Sequence, residues 1–136
     1  MVVVGPVGAP AAAGGGNVAD ECDRDDDGFR ARGACGGDDC DDTDAQVAPD
    51  QMGYFASRQP NVDFDYNCDA SAEQEQISAV ACSGLSIGAC PTDIEGFLGS
   101  LPPCGEVGPW GKCAKTPPLN TCDKAVIDAE RRMRCR

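Results

Sequence analysis

The sequence predicts a small, disulfide-rich, loop-dominated protein with a few short β-strands, and three observations support this fold class. Only 22 of the 136 residues are Leu, Ile, Val or Phe, about 16% of the chain, which is too few for a conventional apolar core. The ten cysteines offer covalent cross-links in its place. Seventeen glycines and ten prolines interrupt long helices and strands. A large enzyme core is therefore excluded.

Charge divides the chain into three predicted segments. Residues 1–19 carry no charged side chain and form a Gly/Ala/Pro/Val-rich arm. Residues 20–70 form an acidic block with 15 acidic and 4 basic residues. Residues 71–136 are close to neutral and hold six of the ten cysteines. We expect the arm to be a flexible tail or, through the valines at its start, a strand that adds to the sheet of a neighbouring subunit.

Cysteine usage indicates export. An even cysteine count, without a Cys-x-x-Cys pair or any histidine, favours disulfides over zinc, haem or iron–sulfur ligation. Disulfides require an oxidising compartment, so we expect an extracellular protein, although glycine and proline interrupt the apolar N-terminus where a signal peptide would lie. The acidic block would repel nucleic acid. No apolar run approaches the roughly 20 residues of a membrane span.

The acidic block contains the spacing of a calcium loop. An EF-hand-type loop has carboxylates at positions 1, 3 and 5, a glycine at position 6 and a coordinating carbonyl at position 7. The corresponding residues here are, in order, Asp23, Asp25, Asp27, Gly28 and Phe29. Position 12, which supplies a bidentate carboxylate in a complete EF-hand, is Ala34. A complete EF-hand is therefore excluded, and further oxygens must come from elsewhere in the chain.

Two further clusters can supply those oxygens. The second cluster contains Asp39, Asp41, Asp42 and Asp44, and the third contains Asp63, Asp65 and Asn67. Since calcium takes roughly six to eight oxygen ligands, the three clusters suffice for one or two ions. Disulfides between the bracketing cysteines at 22, 35, 40 and 68 would preorganise the loops. The alternative is that these acids are solvated charges in a disordered loop.

The order of these motifs resembles a known family. The chain contains Asp-x-Asp-x-Asp-Gly-Phe at 23–29, Asp-Cys-Asp-Asp-x-Asp at 39–44 and Phe-Asp-Tyr-Asn-Cys-Asp at 64–69. This order resembles the MopE-type metal-binding repeats of predicted secreted bacterial proteins and is distantly similar to thrombospondin type 3 calcium repeats. The resemblance implies calcium bound by the aspartate clusters of an exported protein. Ala70 departs from it, since the family commonly has glycine there.

A weaker resemblance covers the C-terminal segment. The run Cys-Gly-Glu-Val-Gly-Pro-Trp-Gly-Lys-Cys at 104–113, followed by Cys122 and the Arg-Met-Arg-Cys-Arg ending, is similar to the Cys/Trp/Arg segment that follows such repeats. It is also faintly similar to thrombospondin type 1 modules, in which a tryptophan stacks between arginines. Trp110 is thus either an ordinary core aromatic or part of a Trp–Arg ladder.

The disulfide pairing does not follow from spacing alone, because ten cysteines admit too many combinations. Neighbour pairing together with the resemblance suggests five bridges: Cys22–Cys35, Cys40–Cys68, Cys82–Cys90, Cys113–Cys122 and Cys104–Cys135.

Regular structure outside these motifs is expected to be sparse. Residues 71–81 form one connecting element whose periodicity does not decide between helix and strand. Residues 124–133 are the most regular stretch and predict a final strand or a short helix. The Gly-x-Ser-x-Gly pattern at 84–88 is a chance match to a nucleophile elbow, because the chain has no histidine to act as base.

These observations predict a non-enzymatic, exported, calcium-binding structural module with calcium-ordered loops. We expect it to serve extracellular assembly, as a filament or surface-layer subunit, or adhesion, through self-association or another extracellular protein. One alternative is a soluble scavenger of copper or another metal, although Cu(I) favours histidine, methionine or thiolate ligands. The other is a small secreted inhibitor or toxin-like protein that contacts its target through an exposed loop at 106–112.

Overall fold

The regular structure lies in the C-terminal half, where three antiparallel strands form one sheet. The computed structural model describes residues 20–83 and 90–136. The strands are β1 (Gly96–Phe97), β2 (Val107–Thr116) and β3 (Thr121–Arg132), in the order β1-β2-β3, and a single 3₁₀ turn covers Gly33–Cys35. The predicted fold class, small, disulfide-rich and loop-dominated, is confirmed. The N-terminal arm and the Gly-x-Ser-x-Gly pattern lie outside the described residues.

The β2–β3 hairpin is longer than the proline content suggests. Pro117 and Pro118 lie in the turn between the two strands, and Pro109 lies where the register of β2 against β3 shifts. At none of these three positions does the sheet need a backbone N–H group as a hydrogen-bond donor, so proline is tolerated. Of the final strand or short helix predicted over 124–133, the structure shows the strand, since β3 covers 124–132. Residues 71–81 are neither helix nor strand. Instead, the backbone N–H groups of Glu73 and Glu75 donate to the carbonyls of Arg136 and Arg134.

One apolar cluster joins the two halves of the described chain. Its buried members are Val47, Phe64, Tyr66, Cys68, Phe97, Met133 and Cys135. Phe55 stacks on Tyr66 with ring centroids 4.1 Å apart, and the Tyr66 hydroxyl donates to the Ser57 carbonyl at 2.8 Å. Because aromatic side chains each bury a large area, this small core packs residues 47–68 against the sheet and the last residues of the chain.

All ten cysteines are paired, and three of the five predicted bridges are confirmed: Cys22–Cys35, Cys40–Cys68 and Cys104–Cys135. The predicted Cys82–Cys90 and Cys113–Cys122 bridges are wrong. The pairs are Cys82–Cys113 and Cys90–Cys122, and all four cysteines lie in or against a second apolar cluster with Val80 and Leu98. Cys113 and Cys122 are on facing strands but two positions out of register. Cys113 and Cys122 therefore each form a disulfide with the segment that packs on the hairpin, through Cys82 and Cys90.

Trp110 packs against the core and contacts one arginine, rather than lying between arginines in a ladder. Its ring meets Phe97 edge to face, with centroids 5.3 Å apart, and the Arg131 guanidinium lies 4.7 Å from the ring centroid. The side chain is therefore attached to the core on one side and forms a single cation–π contact on another. No helix in the described residues has the length and apolar character needed to cross a bilayer.

Candidate metal centre

The first turn, residues 23–29, directs alternate side chains inward. Its odd-numbered residues are partly buried and its even-numbered residues are exposed, so alternate side chains face inward. The two carboxylate oxygens of Asp23 accept the N–H groups of Asp27 and Gly28 at 3.1 and 3.2 Å. The turn needs left-handed backbone at Asp26 (φ 60°) and Gly28 (φ 93°), and glycine adopts this conformation without steric cost.

A tight return of the chain brings the second cluster to this turn. A Cβ at Gly37 would lie 1.8 Å from the Arg30 carbonyl oxygen, so only glycine permits the two segments to approach. The Asp39 N–H donates to the same carbonyl at 3.1 Å. The Cys22–Cys35 disulfide ties together the ends of the segment that contains the first turn. Asp39 is thereby held beside that turn.

Five carboxylates converge here, and we refer to them as the five-carboxylate cluster: Asp23, Asp25, Asp27, Asp39 and Asp42. Oxygens of the three aspartates in the first turn lie within 4.8 Å of one another, and so do oxygens of Asp25, Asp39 and Asp42. Asp25 therefore belongs to both groups. Asp39 is only 1% exposed. The Arg24 N–H holds Asp42 in place by donating to its Oδ1 at 3.1 Å.

Three oxygens of the cluster are buried without a hydrogen-bond partner in the described chain: Oδ2 of Asp25, Asp27 and Asp39. Burial raises the pKa of Asp25 and of Asp39, and the carboxylates of Asp27 and Asp42 raise both pKa values further. Unpaired buried carboxylates are costly, and their mutual repulsion adds to that cost. A divalent cation would offset both, since it supplies coordination and opposite charge.

The donor set consists of hard oxygens, which suit calcium rather than a soft metal. Asp39, Cys40 and Cys68 also lie close enough to surround an ion. The two sulfurs of that group, however, form a disulfide and offer no thiolate. Any cation in this region would therefore be held by its carboxylates.

Of the predicted ligands outside the five-carboxylate cluster, three are engaged with other groups: Asp41, Asp44 and Asp63. Asp41 is buried, and its oxygens accept the Thr43 hydroxyl at 2.7 Å and the Asn61 amide at 3.0 Å. Asp44 accepts a local backbone N–H at 3.1 Å. Asp63 is exposed and pairs with Arg58 at 2.8 Å. These three carboxylates have structural partners of their own.

The second turn, residues 65–71, repeats the conformation of the first. The two oxygens of Asp65 accept the N–H groups of Asp69 and Ala70, each at 3.0 Å. Cys68 (φ 60°) and Ala70 (φ 71°) are left-handed at the same relative positions as in the first turn. The turn thus forms even though alanine replaces glycine at its sixth position.

Sequence reasoning missed two carboxylates at the second turn, Asp69 and Glu73. The Asn67 amide donates to both, at 3.2 and 3.1 Å, while its Oδ1 is buried without a partner in the described residues. Glu73 also lies 3.8 Å from the Arg136 guanidinium. The Asp-x-Asn-x-Asp spacing at 65–69 is identical to that of the first turn and is the signal that identifies Asp69. The signal is harder to see because Ala70 stands where the first turn has glycine.

No protein-family model matches the chain, and neither a curated protein nor a solved structure matches it significantly. Function is therefore inferred below from the residues of the site.

Proposed function

We propose that this chain is an exported, non-catalytic, calcium-binding structural module whose acidic loops are ordered by the ion for extracellular assembly or adhesion. The observation that carries this proposal is the five-carboxylate cluster, in which three buried oxygens have no partner in the described chain. Several converging carboxylates favour chelation of a hard cation. A non-catalytic role accords with the absence of histidine and with the grouping of the acids around one point.

The proposed ligands at the first turn come from two segments of chain. The three unpartnered oxygens coordinate the ion directly, and the remaining donors complete a set of the size calcium requires. The full set is Asp23, Asp25, Asp27, Asp39 and Asp42 through their carboxylates, and Phe29 through its carbonyl. The second turn is a weaker site built from Asp65, Asn67, Asp69 and Glu73.

Calcium is favoured over copper by the chemistry of the donors. The chain contains no histidine, and every cysteine is in a disulfide. A Cu(I) scavenger would need soft sulfur or imidazole ligands, which these clusters lack. The five disulfides support export, because they persist in oxidising compartments.

The ion would act on the fold by mass action. It binds the folded loops and has little affinity for the unfolded chain, so stability rises as RT ln(1 + [Ca]/Kd), about 2.7 kcal/mol at 100 times Kd. Residues 20–70 carry most of the net charge of −12. Neutralising part of this charge reduces the repulsion that opposes their compact arrangement.

Calcium titration by calorimetry, with elemental analysis of the purified oxidised protein, tests the proposal. Asp25→Asn and Asp39→Asn should each weaken calcium binding on the order of 100-fold, because each removes a buried charged ligand. Asp26→Asn is the matched control, since Asp26 lies in the same turn but is exposed. It should change affinity little.

Three results would contradict this proposal. Equal effects of Asp25→Asn and Asp26→Asn would mean that general acidity, rather than a defined site, attracts the ion. Preferential retention of copper or zinc over calcium would favour a metal scavenger instead. If the protein binds no metal and remains equally stable in a chelator, the acidic turns are solvated charge and an interaction protein becomes the better interpretation.

A further inference from the structure

β3 is the outer strand of the sheet, and its free edge is long. It spans Thr121–Arg132 and pairs only with β2. Within the described residues, the opposite edge makes no ladder to another strand. One N–H in this strand, that of Glu130, is instead accepted by Asp128 Oδ1 at 2.9 Å. Exposed edge strands are usually protected by charged side chains, proline, bulges or a covering segment, because unpaired backbone groups recruit other chains.

The middle of β3 is apolar and exposed. Val126 and Ile127 are 53% and 58% exposed, and Ile127 is the residue without a β2 partner where the β2–β3 register shifts between Trp110 and Gly111. The strand contains neither proline nor glycine. An exposed strand edge with apolar side chains near its middle is a surface to which a second chain can add as a strand.

The charges along β3 are complementary to themselves. In an antiparallel pairing of two copies centred on Ile127, Lys124 of each copy lies opposite Glu130 of the other. Asp123 then lies opposite Arg131. All four charged side chains are exposed, and none forms a salt bridge within the described chain. Twofold symmetry makes each of these pairs occur twice.

We infer that two copies of this chain associate through the outer edges of their β3 strands, antiparallel and centred on Ile127, so that their sheets become continuous. Opposite charges across strands stabilise such a pairing, and like charges oppose it. The inference deepens the assembly role proposed above and names the surface that performs it. Neither acidic turn lies on β3, so calcium binding and this contact are separable.

Sedimentation equilibrium of the full oxidised chain, over a range of concentrations and with calcium or a chelator, tests the inference. We expect a dimer for the unaltered protein. Lys124→Glu and Glu130→Lys should each weaken dimerisation about 10-fold or more, because each places like charges opposite each other twice. The double variant Lys124→Glu/Glu130→Lys restores opposite charges and should recover the dimer.

Each other outcome overturns the inference. A monomer at all concentrations, or a double variant that dimerises no better than the single ones, excludes this register. Deletion of residues 1–19 could abolish the dimer while both charge reversals leave it intact. In that case the N-terminal arm of the neighbouring copy, rather than its β3 strand, pairs with the free edge. Calcium content measured on the same samples separates the two proposals. A dimer without calcium contradicts the calcium site alone, and a calcium-bound monomer contradicts the β3 contact alone.

Discussion

The two aspartate turns have the same backbone but different neighbours. In each, the first aspartate accepts two N–H groups from the residues four and five positions later, at 3.0 to 3.2 Å. In each, the fourth and sixth residues are left-handed. The local sequence spacing therefore determines the turn.

What surrounds each turn is set by the rest of the fold. The first turn receives two additional carboxylates, Asp39 and Asp42, and among the described residues the only cationic side chain paired with this cluster is the exposed Arg24, 3.9 Å from Asp42. The second turn has a neutral Asn67 at its third position, and Arg136 lies beside its Glu73. We therefore expect the first turn to bind a cation more strongly than the second, because of the charges that tertiary contacts bring to each.

The largest test of this comparison removes the disulfides that join each turn to its surroundings. Cys40–Cys68 links the residue after Asp39 to the second turn and is part of the core, whereas Cys22–Cys35 closes only the segment around the first turn. Replacing both Cys40 and Cys68 by alanine should lower stability by about 3–5 kcal/mol and weaken calcium binding at both turns.

Alanine at both Cys22 and Cys35 is the matched variant. It should cost about 2–3 kcal/mol and weaken only the tighter calcium site. Thermal unfolding and calcium titration measure both effects. If the two double variants lose the same site to the same extent, the bridges act on overall stability alone and the difference between the turns has another cause.

A smaller effect is expected from making the second turn more like the first. Asn67→Asp adds a carboxylate at the third position and should tighten the weaker calcium site about 10-fold. In chelator the same change should lower stability, because the new charge lies beside Asp69 and Glu73 without the amide donor that now bonds them. Asn120→Asp, in the exposed hairpin turn, adds the same charge elsewhere and should do neither. Calorimetry and unfolding in both buffers would show whether these effects have opposite signs.

The sequence predicted local features better than those that depend on distant contacts. The first turn follows from local spacing and the presence of disulfides from composition, while the three confirmed bridges, with sequence separations of 13, 28 and 31, agree with neighbour pairing combined with the family resemblance. The Cys82–Cys113 and Cys90–Cys122 pairs depend on which segment packs on the hairpin, and neighbour pairing cannot show this. Asp39 lies beside the first turn, whereas Asp41 accepts a hydrogen bond from Asn61 instead. Both arrangements depend on tertiary packing that one sequence does not reveal.

Acidification should affect the metal-free and calcium-bound proteins in opposite ways. The folded-state pKa values of Asp25 and Asp39 are raised, chiefly by burial and further by the neighbouring carboxylates of Asp27 and Asp42. Their protonation therefore favours the folded state below the ordinary aspartate pKa of about 4, and this contribution is lost as pH rises through the raised values. In chelator, stability should thus increase as pH falls from neutral toward that range.

With calcium the sign reverses, because protons compete with the ion for the same oxygens. The gain in melting temperature on adding calcium should shrink steadily over the same pH interval. The Asp25→Asn/Asp39→Asn double variant should lose most of both trends. If it keeps them, carboxylates outside the cluster control the pH dependence.

The smallest effects concern the sixth position of each turn, which is Gly28 in the first and Ala70 in the second, both left-handed. Gly28→Ala should destabilise the protein by about 1 kcal/mol, and the cause is conformational, because nothing lies within 4 Å of the position a Cβ would occupy. Ala70→Gly relieves the same strain but frees the unfolded chain, so the net gain should be only about 0.5 kcal/mol. Denaturant unfolding of both variants in calcium would measure these changes. Opposite signs at the two positions would establish that the turns are equivalent in backbone, and equal signs would mean that the second turn depends on the alanine methyl group.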